Sequence, residues 1–289
     1  MKIRKAVIPA AGFGTRFLPV TKSQPKEMLP VVDKPLIQYC VEEAVQSGIK
    51  NIAVVTSGGK SSLQEHFHRS SKLEQFLDEK GKLELLAEVR KLSSLAEFRF
   101  IKQKKALGLG HAILMAEKYI GHEPFAVLLP DNIFDCRIPC LKQLIEAYSE
   151  LKASVIVLGY VAKGETERHG IVKSKQVRER VFQIENLIEK PSADKAFSNL
   201  GVFGRYVFEP DIFKAIKRTA PDERGEIQIT DAIKLLLQAK PVYGYLFEGA
   251  CYDCGDKLDL IKATVSLALK RPEFSRRLRE FLSSLIKKR

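Results

Sequence analysis

A pair of glycines and three nearby cations form the first group of residues in this chain that could do chemistry. Gly12 and Gly14 follow a short apolar run near the amino terminus, and Arg16, Lys22 and Lys26 come soon after them. Glycines allow the backbone to approach a ligand closely, with several N–H groups aimed at one point where an anion can bind. The cations would add full charges to those dipoles. We therefore predict a binding site for a triphosphate.

Two better-known phosphate-binding loops differ from this one. A dinucleotide-binding loop has a third glycine where this chain has Phe17, and an acidic residue ends its second strand, where this chain has Ser57-Gly58-Gly59. The other loop requires Gly-Lys-Ser/Thr, and Gly14-Thr15-Arg16 does not supply it. A plain turn from a strand into a helix is the simplest alternative, but it leaves the clustered cations without a role.

The same stretch resembles the signature of bacterial-type UTP–glucose-1-phosphate uridylyltransferases, a family of sugar nucleotidyltransferases. The resemblance rests on AAGFGTRFLP at 10–19, TK at 21–22 and PKEMLP at 25–30, and later blocks recur in the family's order over nearly the whole chain. It implies a nucleotide-diphospho-sugar transferase fold, an α/β, Rossmann-like domain with a mixed, mostly parallel sheet flanked by helices. It also implies transfer of a uridylyl group from UTP to glucose 1-phosphate, with release of pyrophosphate. A thymidylyltransferase that uses dTTP and a non-catalytic regulator that binds nucleotide sugars remain the alternatives.

The resemblance assigns nucleotide binding to residues of the amino-terminal half. The residues that would bind the nucleotide are Ala10, Ala11, Gly12, Gly14, Thr15, Gln103 and Gly108. Gln103 and Gly108 would contact uracil, and an amide suits this role because it offers a donor and an acceptor to an N–H beside a carbonyl. Arg16 and Lys26 would neutralise the triphosphate and are two of the expected catalytic residues. We interpret His111 only as a residue at the start of a helix.

Two aspartates are the expected ligands of Mg²⁺, the cofactor that the resemblance implies. Asp131 follows a buried strand predicted at 125–129, and an ionised carboxylate at such a position is costly unless it faces a cation. The resemblance makes Asp131 the first metal ligand and Asp253 the second.

Residues of the carboxyl-terminal half would bind the second substrate. By the resemblance, Gly170, Glu189 and Lys190 bind glucose 1-phosphate, and Lys190 is the third expected catalytic residue. Thr230 or Asp231 could equally be a simple cap of the helix that follows. Arg224-Gly225 looks more like the thymidylyl branch of the family, so the choice between uracil and thymine stays open.

The predicted helices and strands explain how these residues could meet. Buried strands are predicted at 52–56, 98–101, 125–129 and 154–160, with helical periodicity between them. Strands that alternate with helices indicate a parallel sheet, and ligands bind beyond the carboxyl ends of its strands. The Gly12 loop would lie at that edge.

We expect a single catalytic domain over 1–271, followed by a basic amphipathic helix over 272–289. Within the domain, a nucleotide-binding half would extend over about 1–135 and a sugar-binding half over about 136–271. The apolar face of the last helix is expected to pack on its own protein, with a partner subunit or an anionic membrane as alternatives. We also expect a homo-oligomer, either a dimer or a tetramer.

The composition is that of an ordinary globular protein and excludes several functions. The 289 residues are 45% hydrophobic and 29% charged, and no apolar run is long enough to span a membrane. The net charge is +13, but nine Lys or Arg against two Glu lie between Lys262 and Arg289, and no nucleic-acid-binding signature accompanies them. We therefore expect neither a nucleic-acid nor a membrane partner. Five cysteines, an odd number, fit a reducing compartment, so we expect a cytoplasmic protein.

Overall fold

The computed structural model describes residues 2–162 and 164–287. The strands are β1 (Lys5–Ala10), β2 (Pro30–Val31), β3 (Lys34–Pro35), β4 (Asn51–Thr56), β5 (Glu97–Lys102), β6 (Phe125–Leu128), β7 (Asn132–Asp135), β8 (Ser154–Tyr160), β9 (Gly170–Arg178), β10 (Val181–Glu189), β11 (Leu200–Phe208), β12 (Val242–Leu246) and β13 (Ala250–Asp253). The helices are α1 (Leu36–Gln46), α2 (Ser61–Phe67), α3 (Ser71–Glu79), α4 (Leu83–Ser93), α5 (Gly108–Leu114), α6 (Glu117–Ile120), α7 (Cys140–Leu151), α8 (Asp211–Arg218), α9 (Ile229–Leu237), α10 (Lys257–Ala268) and α11 (Pro272–Lys287).

One large sheet organises the described residues. Its order is β5-β4-β1-β6-β11-β8-β12-β10-β9. The first four strands are parallel neighbours, β12 is parallel to β8, and β11 is antiparallel to both β6 and β8. Strands β10 and β9 complete the sheet as an antiparallel hairpin. The predicted α/β fold, with a mixed and mostly parallel sheet, is confirmed.

Helices cover both faces of this sheet because its central strands are apolar on both sides. Successive side chains of a strand point to opposite faces. In β1, Val7 packs into a core that includes Ile233 of α9, whereas its neighbour Ile8 packs into a second core that includes Ile37 of α1 and Leu144 of α7. Burial on both faces is typical of parallel strands. Because both faces are packed, the strand ends are held in place, and so are the starting points of the loops that follow them.

The long crossover between β4 and β5 consists of the three helices α2, α3 and α4. The turn between α3 and α4 contains Gly81, whose φ of 64° favours glycine. Glu74 on α3 accepts hydrogen bonds from Arg69 at 2.6 Å and from Arg90 of α4 at 3.2 Å. This charge cluster joins α3 to α4.

The apolar face of the last helix is only partly covered in the part that the structure describes, with Leu278 and Leu282 half-buried. None of the residues of α11 is buried; Phe281 is 57% exposed and Ile286 is 77% exposed. Residues 288 and 289 of the predicted helix lie outside the described residues. In the described part of the chain, no helix is both long and apolar enough to cross a membrane.

Candidate active site

Loops at the carboxyl ends of the four parallel strands meet at one edge of the sheet. Gly12 follows β1, Lys60 follows β4, Gln103 follows β5 and Asp131 follows β6. A cavity of about 500 Å³ lies at this edge, and its lining includes Gly12, Gln103 and Asp131. We call it the nucleotide cavity. Its position agrees with the general location of ligand sites in parallel sheets.

The glycine loop has the conformation that the sequence suggested. Gly14 has a φ of 67° and leads into a short 3₁₀-helix over Thr15–Phe17. A Cβ at Gly14 would lie 3.0 Å from Cβ of Lys26, so glycine is required both by the dihedral angle and by the space. The Thr21 hydroxyl donates to the Gly14 carbonyl at 2.8 Å.

The predicted nucleotide-binding residues of this loop lie together. Ala10 is the last residue of β1, and the residues of the loop that line the nucleotide cavity include Ala11, Gly12, Gly14 and Thr15. Lys22, by contrast, is exposed and is not among the described residues that line this cavity.

Lys60, which was not among the residues predicted from the sequence, anchors this loop. Lys60 donates to the carbonyls of Ala10 at 2.7 Å and Gly12 at 2.8 Å, and to the carboxylate of Glu27 at 2.9 Å. Glu27 is 1% exposed. Lys60 thereby ties two carbonyls of the glycine loop to the buried carboxylate of Glu27. The only signal in the sequence was a lysine in the loop after a parallel strand, just beyond Ser57-Gly58-Gly59.

Gln103 and Gly108 both line the nucleotide cavity, and Nε2 of Gln103 lies 3.5 Å from the carbonyl of Gly108. Gly108 has a φ of 87°, and a Cβ there would lie 2.8 Å from Cβ of Glu226. The segment that contains Glu226 is held against Gly108, because the N–H of Ile227 donates to the Leu107 carbonyl at 2.8 Å. The close packing of this segment explains why glycine is needed at position 108.

A strand pairing brings the two predicted metal ligands together. Strands β7 and β13 are antiparallel, with Asn132 opposite Asp253, and the Cys254 N–H donates to the Asp131 carbonyl at 2.7 Å. A Cβ at Gly255 would lie 2.9 Å from Oδ1 of Asp253 and 3.3 Å from Oδ2 of Asp131. Both carboxylates therefore face one point.

Cations neutralise both carboxylates. Nζ of Lys26 lies 2.6 Å from Oδ2 of Asp131, and Nη2 of Arg168 lies 3.3 Å from Oδ2 of Asp253. Burial raises the pKa of Asp131, but the attraction of Lys26 outweighs it and the pKa is lowered below its usual value. Burial lowers the pKa of Lys26, and Asp131 in turn raises it above its usual value. Both groups are thus charged at neutral pH.

A buried ion pair braces the loop that carries Asp131. Arg205 on β11 pairs with Glu43 on α1 at 2.7 Å and is fully buried. It also donates to the carbonyls of Leu129 and Asn132, both at 2.9 Å, on either side of Asp131. This brace fixes the backbone of the loop against the sheet.

The predicted sugar-phosphate residues line a second cavity of about 270 Å³, which we call the sugar cavity. Gly170, Glu189 and Lys190 all belong to its lining, together with Arg16. Nζ of Lys190 lies 3.2 Å from Oε1 of Glu189. Thr230 is not the cap of α9; its hydroxyl donates to Oε2 of Glu189 at 3.0 Å.

The nucleotide cavity and the sugar cavity form one cleft. Asp131 and Glu226 belong to the lining of both. A larger cavity of about 720 Å³ adjoins the sugar cavity at Arg168 and Asp253, but the glycine loop is not part of its lining. The cleft, and not this larger cavity, is therefore the candidate active site.

The cleft suits two anionic ligands that bind end to end. The glycine loop and Lys26 line the nucleotide cavity, Arg16, Lys190 and Asp253 line the sugar cavity, and Asp131 lines both. In the described part of the chain, no group of three or more His, Cys, Asp or Glu could hold a metal ion by itself. An ion at the aspartates would need further ligands from a substrate or from water.

Known proteins are similar to this chain in both sequence and structure. A UTP–glucose-1-phosphate uridylyltransferase of Bacillus subtilis (strain 168) is 47% identical over 287 residues, which cover 99% of this chain and 98% of the relative. A UTP-bound UGPase from Acinetobacter baumannii superimposes with a TM-score of 0.91 at 38% identity, covering 98% of this chain and 99% of the other.

A UDP-glucose pyrophosphorylase complexed with UDP-glucose gives a TM-score of 0.86 at 41% identity, with 93% of this chain and 100% of the other covered. The family model described as nucleotidyl transferase matches residues 5–269. With this match and with relatives over its full length, the chain belongs to the nucleotidyl transferase family.

Proposed function

We propose that the chain is an enzyme that transfers a uridylyl group from UTP to glucose 1-phosphate, giving UDP-glucose and pyrophosphate. One observation carries the proposal: a phosphate-binding loop, a pair of aspartates and a lysine for a second phosphate all face a single cleft. The names and ligands of the similar proteins support the choice of UTP and glucose 1-phosphate.

The nucleotide cavity would bind UTP. The residues in contact with the nucleotide would be Ala10, Ala11, Gly12, Gly14, Thr15, Gln103 and Gly108. Arg16 and Lys26 would neutralise the triphosphate, with Arg16 on the side of the leaving pyrophosphate. Arg16 is well placed for this, since its Nη1 lies 3.4 Å from the carbonyl of Gly255 beside the aspartate pair.

The sugar cavity would bind glucose 1-phosphate. Glu189 would accept hydrogen bonds from sugar hydroxyls, and Thr230 holds its carboxylate in place. The backbone of Gly170, which lines this cavity, would contact the sugar, and a Cβ at this position would lie 2.8 Å from Cγ2 of Thr230. Lys190 would bind the sugar phosphate and align it for attack.

The reaction needs no nucleophile or general base from the protein. An oxygen of glucose 1-phosphate forms a bond to the α-phosphorus of UTP, and the bond from that phosphorus to the bridging oxygen of pyrophosphate breaks. The attacking phosphate is already ionised at neutral pH, since its second pKa is about 6. The protein must overcome repulsion between two polyanions and stabilise charge on the leaving group, so positioning and fixed cations carry the catalysis.

The aspartate pair fits Mg²⁺. Asp131 and Asp253 would hold the ion, because oxygens of both face one point and carboxylates with phosphate and water oxygens are its preferred ligands. When bound, Mg²⁺ supplies positive charge next to the phosphates. Lys26 and Arg168 hold the two carboxylates in place for this role.

We further propose the setting in which the enzyme works. The catalytic domain comprises a nucleotide-binding half at about 1–135 and a sugar-binding half at about 136–271. The exposed apolar side chains of α11 support a homo-oligomer, either a dimer or a tetramer. All five cysteines are free thiols, which supports a reducing cytoplasm.

Pyrophosphate release, measured over a small matrix of nucleotides and sugar phosphates, tests the function. We expect the largest kcat/KM for UTP with glucose 1-phosphate, and loss of activity on addition of EDTA with recovery on addition of excess Mg²⁺. A larger kcat/KM for dTTP would favour the thymidylyltransferase. Binding of UTP without any pyrophosphate release would favour the non-catalytic regulator, and a rate unchanged by EDTA would exclude the metal.

A further inference from the structure

His111 contacts the residue that is expected to recognise the base. Gln103 is 4% exposed, and its Nε2 lies 2.7 Å from Nδ1 of His111 on α5. The same Nε2 has a longer contact of 3.5 Å with the carbonyl of Gly108. The amide nitrogen of Gln103 therefore has two neighbours on the protein side of the cavity.

These two neighbours fix which way the amide points. A carbonyl can only accept, so the end of the Gln103 amide beside Gly108 is its NH₂ group. Nδ1 of His111 must then accept as well, and the ring proton lies on Nε2. With both N–H bonds directed into the protein, Oε1 of Gln103 is the atom left for a ligand. Among the described residues, Oε1 accepts no hydrogen bond.

The neighbouring backbone completes a two-point pattern. As the first residue of α5, Gly108 has an N–H without a partner inside the helix. The wall of the cavity thus presents one acceptor, Oε1 of Gln103, and one donor, the N–H of Gly108. Uracil and thymine match this pattern, since N3–H donates and O4 accepts. Cytosine has the opposite pattern, with an accepting N3 and a donating amino group.

We propose that His111 is a positioning residue that sets the preference for pyrimidines with an N3–H over cytosine, by holding the Gln103 amide in one orientation. The proposal deepens the proposed function and rests on it for the position of the base. His111 acts through Gln103 and does not itself contact the nucleotide. Because uracil and thymine share the same edge, His111 does not choose between them.

The ring of His111 is in the state that this role requires. Burial lowers the pKa of His111 below its usual value, so the imidazole is neutral at pH 7 and Nδ1 keeps its lone pair. If the acceptor on His111 were lost, the amide could rotate more easily and present its NH₂ group to N3 of cytosine. Cytosine would then be rejected less strongly, although its amino group would still face the N–H of Gly108. A wrong donor or acceptor in a buried site typically changes selectivity by roughly 10- to 100-fold.

Two variants separate this role from a general effect on folding. His111→Leu removes the acceptor but keeps an apolar side chain of moderate size. His111→Asn restores an acceptor, because Oδ1 of asparagine is bonded to Cγ just as Nδ1 of histidine is. Dissociation constants for UTP, CTP and dTTP and kcat/KM for pyrophosphate release with glucose 1-phosphate are measured for both variants and the wild type, with thermal midpoints alongside.

We expect the preference for UTP over CTP to fall roughly 10- to 100-fold in His111→Leu and to stay near that of the wild type in His111→Asn. The ratio of UTP to dTTP and the KM for glucose 1-phosphate should not change in either variant. A purely structural role for His111 would weaken UTP and CTP alike, and that result would overturn the inference. The same holds if His111→Asn loses as much selectivity as His111→Leu.

Failure of the proposed function gives a different result. A wild type that binds UTP over CTP but releases no pyrophosphate would overturn the function, whereas loss of the binding preference in His111→Leu would still support the role of His111. Conversely, full activity together with an unchanged UTP-to-CTP ratio in both variants would keep the function and remove the inference.

Discussion

Replacement of Lys60 by methionine tests whether the contacts of Lys60 with the loop carbonyls maintain the conformation of the glycine loop. Lys60→Met keeps the aliphatic stem but removes the charge that contacts Glu27 at 2.9 Å and the carbonyls of Ala10 and Gly12 at 2.7 and 2.8 Å. The Lys60 side chain is 10% exposed and that of Glu27 is 1% exposed, so water cannot replace the lost contacts well.

The free energy of unfolding should fall by about 3 kcal/mol. Removing one partner of a buried ion pair costs about 3–5 kcal/mol, because the other charge is left uncompensated. We expect the lower end of this range, since Glu27 can take up a proton. Burial already raises its pKa above the usual value, in spite of the attraction of Lys60. For a chain of 289 residues the loss corresponds to a decrease in thermal midpoint of roughly 5 °C.

The variant should also bind UTP more weakly, by roughly tenfold or more, because small displacements of a binding loop have large effects. Thermal unfolding and titration calorimetry with UTP measure the two effects. Lys50→Met is the matched control, since Lys50 is exposed. The double variant Lys60→Met/Glu27→Gln should regain part of the stability but not the affinity, because it removes the unpaired carboxylate without restoring the loop contacts.

The pH dependence of stability tests whether an unpaired Glu27 causes the loss in Lys60→Met. The difference in midpoint between Lys60→Met and the wild type should shrink as the pH falls, because Glu27 becomes neutral in the folded variant. An affinity for UTP in Lys60→Met that equals that of Lys50→Met would refute the role of Lys60 in shaping the loop. A double variant no more stable than Lys60→Met would refute the assignment of the energy to an unpaired Glu27.

Three other changes have clear expected outcomes. Lys190→Ala should lower kcat by roughly 10²- to 10⁴-fold in steady-state assays, with an unchanged thermal midpoint, and near-normal turnover would remove its catalytic assignment. Glu74→Gln should lower the midpoint at pH 7. Hydrogen bonds from Arg69 lower the pKa of Glu74 to about 2, so the difference should vanish as the pH falls from 4.5 towards 2, and a pH-independent difference would contradict this cause. Arg205→Met should cost about 3–5 kcal/mol in urea unfolding, because it leaves Glu43 unpaired in the core, and a loss below 1 kcal/mol would contradict that estimate.

Features that depend on near neighbours were predictable from the sequence. An apolar run predicts a buried strand from a few consecutive residues, and the structure places β8 at Ser154–Tyr160, as predicted. The need for glycine at Gly14 is likewise local, since its φ of 67° is set by a tight turn. A loop with backbone N–H groups and cations was therefore visible in the sequence, and the family resemblance extended it to substrates.

Residues that act through distant contacts were not predictable in this way. Lys60 is separated by 48 residues from Gly12, whose carbonyl it holds, and nothing in its immediate surroundings specifies that contact. Threonine is a residue type that often caps helices, yet Gln228 occupies the cap position. The hydroxyl of Thr230 instead donates a hydrogen bond to the carboxylate of Glu189. The contact of His111 with Gln103 spans only 8 residues, but a position at the start of a helix gives no sign of it.

By itself, the sequence determined the alternation of strands and helices, the glycine loop and the kinds of charged residue available for a phosphate-transfer site. Only the tertiary structure decided that Asp131 and Asp253 face one point, since this follows from the register in which Asn132 lies opposite Asp253. A shift by one residue would turn the Asp253 side chain to the other face of the pair, because side chains alternate along a strand. The same limit applies to α11, whose apolar pattern could not show that its face is only partly covered. The apolar pattern of a segment shows which of its side chains can be buried. Which other segment covers them depends on contacts between parts of the chain that are far apart in sequence.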